Sequence, residues 1–497
     1  MRQRNELTRR DLLAVLGAAA FPPVRSALSG EGQMHYTSLT DTARLIRAGK
    51  LSPTVLTRGI LERIAALDPR LQSYVTVMAD EAMASARRAE LEIQTGRYRG
   101  PLHGIPIGIK DLCNTRGVRT MAGTTVLADP VPDFDATVVA RLETAGAVIL
   151  GKLVLCEGAF GPYHPGLQVP VNPWDPNRWS GVSSSGSGVA TAAGLCFGSV
   201  GSDTGGSIRY PSAANGCVGL KPSYGRVSRY GVFPLAESMD HLGPMTRTVA
   251  DAAVMFEAMA GYDPADPTSL QEPVAPVRAE LARGVAGLRI GFDRHYATDK
   301  VDPEVTRGLE HVLSVLSRLG ARVVDVRMPD VGAVGSAWYD LCAVEAALAN
   351  AKTFPSRAGE YGPGLRSVLE YGRNLSGAAY ARASLVKAEI RGRIERVLAG
   401  VDCLVCPSMA NPARPKLVDP FGAETDDSWD RLVMNDIHTK PFNFSGSPTL
   451  SVPCGFSSDG LPLSVQFVGR RLSEAVLCRA GHAFEQATQW HRRHPAQ

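Results

Sequence analysis

The sequence predicts an α/β fold, a central sheet covered by helices. Three observations carry that prediction. Apolar strand-like runs alternate with helix-patterned segments from residue 100 onward. No period of 20–50 residues recurs, which argues against a solenoid or a propeller. The 497 residues are 44% hydrophobic and 21% charged, with mean hydropathy near zero, the balance of a soluble globular chain with ample core.

The first thirty residues stand apart. They hold five arginines against Glu6 and Asp11, whereas the rest of the chain carries 48 basic and 47 acidic residues. A body that neutral offers no electrostatic attraction for nucleic acid or an anionic membrane. Thr8-Arg9-Arg10-Asp11-Leu12-Leu13 leads into an apolar run at 12–21, with small residues near Ser26 and Ala27. This is the grammar of an export signal, and the arginine pair is similar to a twin-arginine signal. Ten residues rise about 15 Å as a helix, half of a bilayer core, so no stable membrane span is expected. The expected division is a twin-arginine signal peptide over 1–30 and a single catalytic domain over 31–497. The mature protein is then periplasmic or secreted, and cytoplasmic only if the leader does not function.

Past the leader, Ser52 caps a helix with Pro53 in its first turn. Leu56, Ile60, Ile64 and Leu67 share one face, and Asp68-Pro69 is expected to break it. A second helix covers 80–94. Strands are expected at 105–109 and 147–150, with a helix at 136–144 between them. Strand 288–292, a helix opened by Asp302-Pro303 and closed at Gly320, and strand 322–326 have the spacing of a parallel crossover. The stretches 441–452 and 461–469 read as central strands, and the Pro/Asp-rich stretch 263–276 as a surface loop inside one domain. Nine cysteines scattered from Cys113 to Cys478 do not resemble a disulfide framework. Cys403 and Cys406 lie in an apolar strand-like run, where residues three apart face opposite ways, so both read as structural.

Chemistry concentrates in 180–225, where serines are packed among glycines. Gly201–Ser207 follows a strand-like run at 196–200, and Ser207 opens a stretch suited to a helix. A hydroxyl at a strand end beside the bare amides of a Gly-Gly turn has the parts of a nucleophile and an oxyanion hole. Serine needs a base to attack. No histidine lies within thirty residues upstream of Ser207, and no histidine pair has metal-ligand spacing. The G-x-S-x-G elbow is also missing, since Gly181-Val-Ser183-Ser-Ser185 ends in serine. Lysine can replace histidine when burial lowers its pKa, and Lys110, ending the apolar run 104–109, is the natural candidate.

The run Gly-Ile-Pro-Ile-Gly-Ile-Lys-Asp at 104–111, the Ser/Gly cluster at 181–188, Gly-Ser-Asp-Thr-Gly-Gly-Ser-Ile-Arg at 201–209 and Gly-Leu-Lys-Pro-Ser-Tyr-Gly-Arg at 219–226 together resemble the amidase signature family. The resemblance continues through 240–247 and 441–469. It implies an α/β/α sandwich with a large mixed sheet, and a Ser-cisSer-Lys triad in which Ser207 is the nucleophile, Ser183 the bridging serine and Lys110 the base. It further implies oxyanion donation by the amides of Thr204, Gly205, Gly206 and Ser207, with Ser184, Asp203 and Arg209 in support. Asp203 and Arg209 read as a loop-bracing ion pair, Lys221 as a structural charge, and Glu157 has no role assigned. The family commonly has glycine where this chain has Val182 and Ser185, which puts the local geometry and substrate access in question.

The implied activity is cleavage of a small-molecule carboxamide through a seryl acyl-enzyme, releasing a carboxylate and ammonia or an amine, without metal or organic cofactor. A carbamate or ester hydrolase on the same scaffold, the A-type component of a glutamine-dependent tRNA amidotransferase and a non-catalytic binding protein are the rivals; a homodimer is left open. Ser384-Leu-Val-Lys387 fits S-x-x-K, but its companion motifs are absent, so it reads as chance. Sequence does not choose which of Tyr163, Trp174, Trp338 or Phe444 touches substrate.

Overall fold

A mixed sheet of eleven strands runs through the molecule. The computed structural model describes residues 34–160, 162–416, 420–421 and 437–496, and the leader expected at 1–30 lies outside them. The strands are β1 (Tyr74–Val77), β2 (Pro106–Lys110), β3 (Val148–Leu153), β4 (Gly198–Asp203), β5 (Val218–Lys221), β6 (His241–Thr246), β7 (Arg289–Phe292), β8 (Arg322–Asp325), β9 (Cys403–Pro407), β10 (Thr449–Phe456) and β11 (Pro462–Gly469). They are ordered β1-β3-β2-β4-β6-β5-β10-β11-β9-β7-β8. β2 pairs in parallel with β3 and β4, and β7 with β8 and β9, while the remaining pairs are antiparallel.

Every residue of β2 to β6, β9 and β11 is buried, which requires cover on both faces. Helices supply that cover and complete the α/β/α architecture. Exposure is concentrated at the edges, β8 being largely exposed and β1 partly so. The crossover expected near 288–326 is present: β7, the helix Pro303–Arg318 capped by Asp302, and β8, parallel to β7.

Several boundaries differ from expectation, among them the end of β3, which runs to Leu153 rather than 150. The helix Pro53–Leu71, capped by the Ser52 hydroxyl, continues through Pro69 and ends at Gln72 in the left-handed region. Pro69 sits in its last turn, where a missing N–H removes one bond without ending the helix, and Asp68 accepts the amides of Ser73 and Tyr74 just beyond it. Residues 441–448 are not strand: Lys440–Phe444 is a short helix with Pro441 in its first turn, and β10 begins at Thr449. β4 lies two to three residues later than the run 196–200, because β6 pairs along Gly198–Asp203. The stretch 263–276 is a loop between the helices Val249–Met259 and Val277–Glu280, pinned where Asp263 accepts the hydroxyls of Thr137 and Ser228 at 2.6 and 2.5 Å. All nine cysteines are buried and free.

Backbone approach within the sheet is closest at Gly243 in β6, where an added Cβ would lie 2.0 Å from the Leu220 carbonyl oxygen of β5. Gly243→Ala must separate the two strands and is expected to destabilise the protein by about 1–3 kcal/mol. A lowered midpoint in chemical denaturation checks it; an unchanged midpoint contradicts this packing.

Candidate active site

The site is assembled where the neighbouring parallel strands β2 and β4 end. Register places Ile109 beside Val200, so Lys110, the last residue of β2, arrives next to Gly201-Ser202. The Lys110 side chain is completely buried. Its Nζ lies 2.7 Å from Ser183 Oγ, 2.9 Å from Ser184 Oγ and 2.8 Å from Ser202 Oγ. Burial disfavours the ammonium form and pushes the Lys110 pKa from 10.5 down to about 8. Ser183 and Ser184 immediately precede the helix Ser185–Ala192, and the Val182–Ser183 peptide is cis. Ser184 is fixed to β4, its Oγ donating to the Ser202 carbonyl at 3.1 Å and accepting the Ser202 amide at 3.2 Å.

Ser207 is half-buried and stands between Gly206, at φ +138°, and the helix Arg209–Asn215. Its carbonyl accepts the Ser184 amide at 3.3 Å, which joins the two serine segments. Asp203, at the end of β4, accepts the amides of Gly206 at 2.9 Å and Ile208 at 3.0 Å and so clamps the residues on either side of Ser207. Arg209 meets the same carboxylate through Nε at 3.0 Å and Nη2 at 2.8 Å, and Asn443 donates to it at 2.9 Å. Burial alone would raise the Asp203 pKa, but the Arg209 charge and these hydrogen bonds hold it well below the usual carboxylate range. The ion pair braces the turn.

Later parts of the chain cover this turn. Trp338 Nε1 donates to the Thr204 carbonyl at 2.9 Å, the Thr439 hydroxyl donates to the Gly205 carbonyl at 2.6 Å, and Thr204 Oγ1 donates to Asp240 at 2.6 Å. Of the four amides considered as oxyanion donors, that of Gly206 is engaged by Asp203. Sequence reasoning missed Ser202, Thr439 and Asn443, and named Trp338 only as one of four aromatic candidates. Ser202 carried one signal, its place beside Lys110 once β2 and β4 are taken as parallel neighbours; the others lie more than 130 residues away along the chain.

The remaining candidates fall elsewhere. Lys221 Nζ donates to the Ser447 carbonyl at 2.5 Å, and burial, then the Arg209 charge, lower its pKa strongly. Buried Glu157 accepts the Gly362 amide at 3.0 Å, and burial pushes its pKa up to about 7. Ser384 Oγ donates to the Tyr380 carbonyl at 2.9 Å and Lys387 Nζ to the Ser238 carbonyl at 2.5 Å. Trp174 donates to the Asn215 carbonyl and packs near Phe456, Phe444 belongs to the main core, and Tyr163 donates to Ser185 Oγ at 2.8 Å. A cavity of about 230 Å³ borders Ser202, Thr204, Asp240 and His241, and a second of about 550 Å³ borders Asp111 and Leu155. Among the described residues, no group of three or more His, Cys, Asp or Glu could hold a metal ion, and no helix is long and apolar enough to cross a membrane.

The family model Amidase matches residues 55–478. The chain belongs to the amidase family. It is 48% identical to the Mycobacterium tuberculosis protein named "Putative amidase AmiD", over 94% of this chain and 97% of that one. It is 38% identical to the A-type component of the glutamyl-tRNA(Gln) amidotransferase of Chloroflexus aurantiacus, over 93% and 99%. Among solved structures, the peptide amidase of Stenotrophomonas maltophilia aligns with a TM-score of 0.79 at 32% identity, covering 95% of this chain and 99% of that one.

In this member of the amidase family the Asp203 carboxylate holds four groups at once, so its loss is structural before it is chemical. Asp203→Asn leaves the buried Arg209 charge unanswered and is expected to cost about 3–5 kcal/mol of stability. Equilibrium denaturation measures this, and a loss below about 1 kcal/mol contradicts the bracing role.

Proposed function

We propose that the protein hydrolyses carboxamides through Ser207 as nucleophile, with Ser183 as the relay and Lys110 as the base. The observation that carries this reading is the Lys110 amine, buried on three hydroxyls with its pKa lowered to about 8. Neutral Lys110 takes the proton of Ser183 while Ser183 takes that of Ser207, whose Oγ bonds to the substrate carbonyl carbon. The C–N bond then breaks, and the relay returns the proton to the departing nitrogen. Water adds to the acyl ester by the same route, releasing the carboxylate and restoring Ser207. The amides of Thr204, Gly205 and Ser207 are the proposed donors to the oxyanion, since the Gly206 amide is taken by Asp203. Esters and carbamates present the same carbonyl and would enter the same path.

A second reading, the A-type component of a tRNA amidotransferase, stands on the 38% identity to such a protein. The two separate on one property: an amidohydrolase turns over a simple amide as the purified chain alone.

Turnover of a chromogenic anilide by Ser207→Ala is expected to fall by more than about 10³-fold, with large losses also in Ser183→Ala and Lys110→Ala. Undiminished turnover in Ser207→Ala overturns the mechanism. Because the neutral amine is the active form, kcat/KM should rise tenfold per pH unit below about 8 and level off above it. Lys110→Arg, charged at every accessible pH, should remove that limb together with activity. A profile already flat at about pH 6 contradicts the assignment of the base.

A further inference from the structure

The cavity of about 550 Å³ opens beyond the carboxyl ends of β2 and β3, where Asp111 follows Lys110 and Val154-Leu155 follow Leu153. Open α/β sheets take ligands in crevices outside the carboxyl ends of their strands. Its wall is mainly apolar, with Val75, Met121, Leu155, Leu167, Val169 and Phe421. Asp111, also in the wall, pairs with Lys152 at 3.1 Å and accepts the Met121 amide at 3.0 Å, so its charge is answered inside the protein.

This wall is continuous with the serine segments. Val169 and Phe421 pack against a small cluster of Cys156, Tyr163, Trp179, Val182 and Tyr210. Val182 is joined to Ser183 through the cis peptide, and a Cβ added at Gly206, the residue before Ser207, would lie 2.4 Å from the Tyr210 ring. Ser185 accepts the Tyr163 hydroxyl at 2.8 Å and anchors that ring in the cluster. Val182 and Ser185 therefore both serve one apolar surface that runs from the cavity to the residues flanking the nucleophile.

We propose that this cavity binds a hydrophobic group attached to the scissile carboxamide, with the apolar cluster of Val182 and Tyr163 bridging the cavity and the triad. Its volume lies in the range that encloses a drug-sized ligand, and its lining offers no free charge for an ionic substituent. Amides bearing a sizeable alkyl or aryl group on the acyl or the amine side are then the substrates, in preference to acetamide. The proposal rests on the assignment of Ser207 as nucleophile.

Two homologous series with the purified full chain decide both the preference and the side: primary amides from acetyl to octanoyl, and N-alkyl acetamides from methyl to octyl. In one series kcat/KM should climb about fourfold per added methylene, as expected for burying one CH₂, until the cavity is full. Leu167 and Val169 are partly exposed, so both can be exchanged with little damage to the core. Leu167→Asp should flatten the slope, and Val169→Trp should bring the plateau to shorter chains. A slope unchanged in both variants overturns the assignment to this cavity. No rise in either series, while a fluorophosphonate still labels Ser207, overturns the proposal alone. No labelling and no turnover of any amide overturns the nucleophile assignment beneath it.

Discussion

The site depends on a lysine amine kept away from water at the end of a buried strand. Lys110, Lys152 and Lys221 share complete burial, and they are satisfied in three different ways. Lys152 on β3 has a carboxylate, Asp111, at 3.1 Å. Lys221 at the end of β5 meets backbone carbonyls, those of Ser447 and Pro222. Lys110 alone of the three is surrounded by hydroxyls, which both donate and accept and can therefore follow a proton on or off the nitrogen. A contacting carboxylate would stabilise the ammonium and oppose loss of its proton. Carbonyls only accept, so they cannot pass a proton on.

That arrangement needs the turn that carries Ser207 to stay in register with β2, and the C-terminal part of the chain supplies the restraint. Asn443 and the Thr439 carbonyl bind Arg209, the Thr439 hydroxyl binds the Gly205 carbonyl, and Tyr210 meets the same hydroxyl at 2.7 Å. The short helix Lys440–Phe444 therefore closes over 203–210. An extended strand there would have set Thr439 and Asn443 about 13 Å apart along one face, whereas a helical turn lets both reach the same Asp203–Arg209 pair.

What could be read from the sequence follows from which contacts are local in the chain. Lys110 is legible because a cation ending an apolar run must be buried or paired, and 201–209 is legible because glycine, serine, aspartate and arginine sit within a few residues of one another. The α/β class and the crossover at 289–325 follow from periodicity and caps. Ser202 required the register between β2 and β4, which no short pattern encodes. Trp338, Thr439 and Asn443 act across more than 130 residues from segments whose own patterns announce only a helix or a strand. Pro69 and Pro441 show the limit of a local rule: proline prevents helix only where the lost N–H and the ring matter, and the ends of a helix tolerate both.

The Gly-Gly turn before Ser207 illustrates how one sequence feature answers two demands. Bare amides near a carbonyl suggest glycine for access alone, yet the aromatic cover gives a steric reason as strong. A Cβ at Gly205 would lie 2.7 Å from the Trp338 ring, and one at Gly206 would lie 2.4 Å from the Tyr210 ring, where φ is also +138°. Both rings are buried, so they shield the turn from solvent while occupying the space side chains would need. Shielding matters because hydrogen bonds to a developing charge strengthen as water is excluded. The glycines thus allow aromatic rings to seat directly on the backbone that carries Ser207.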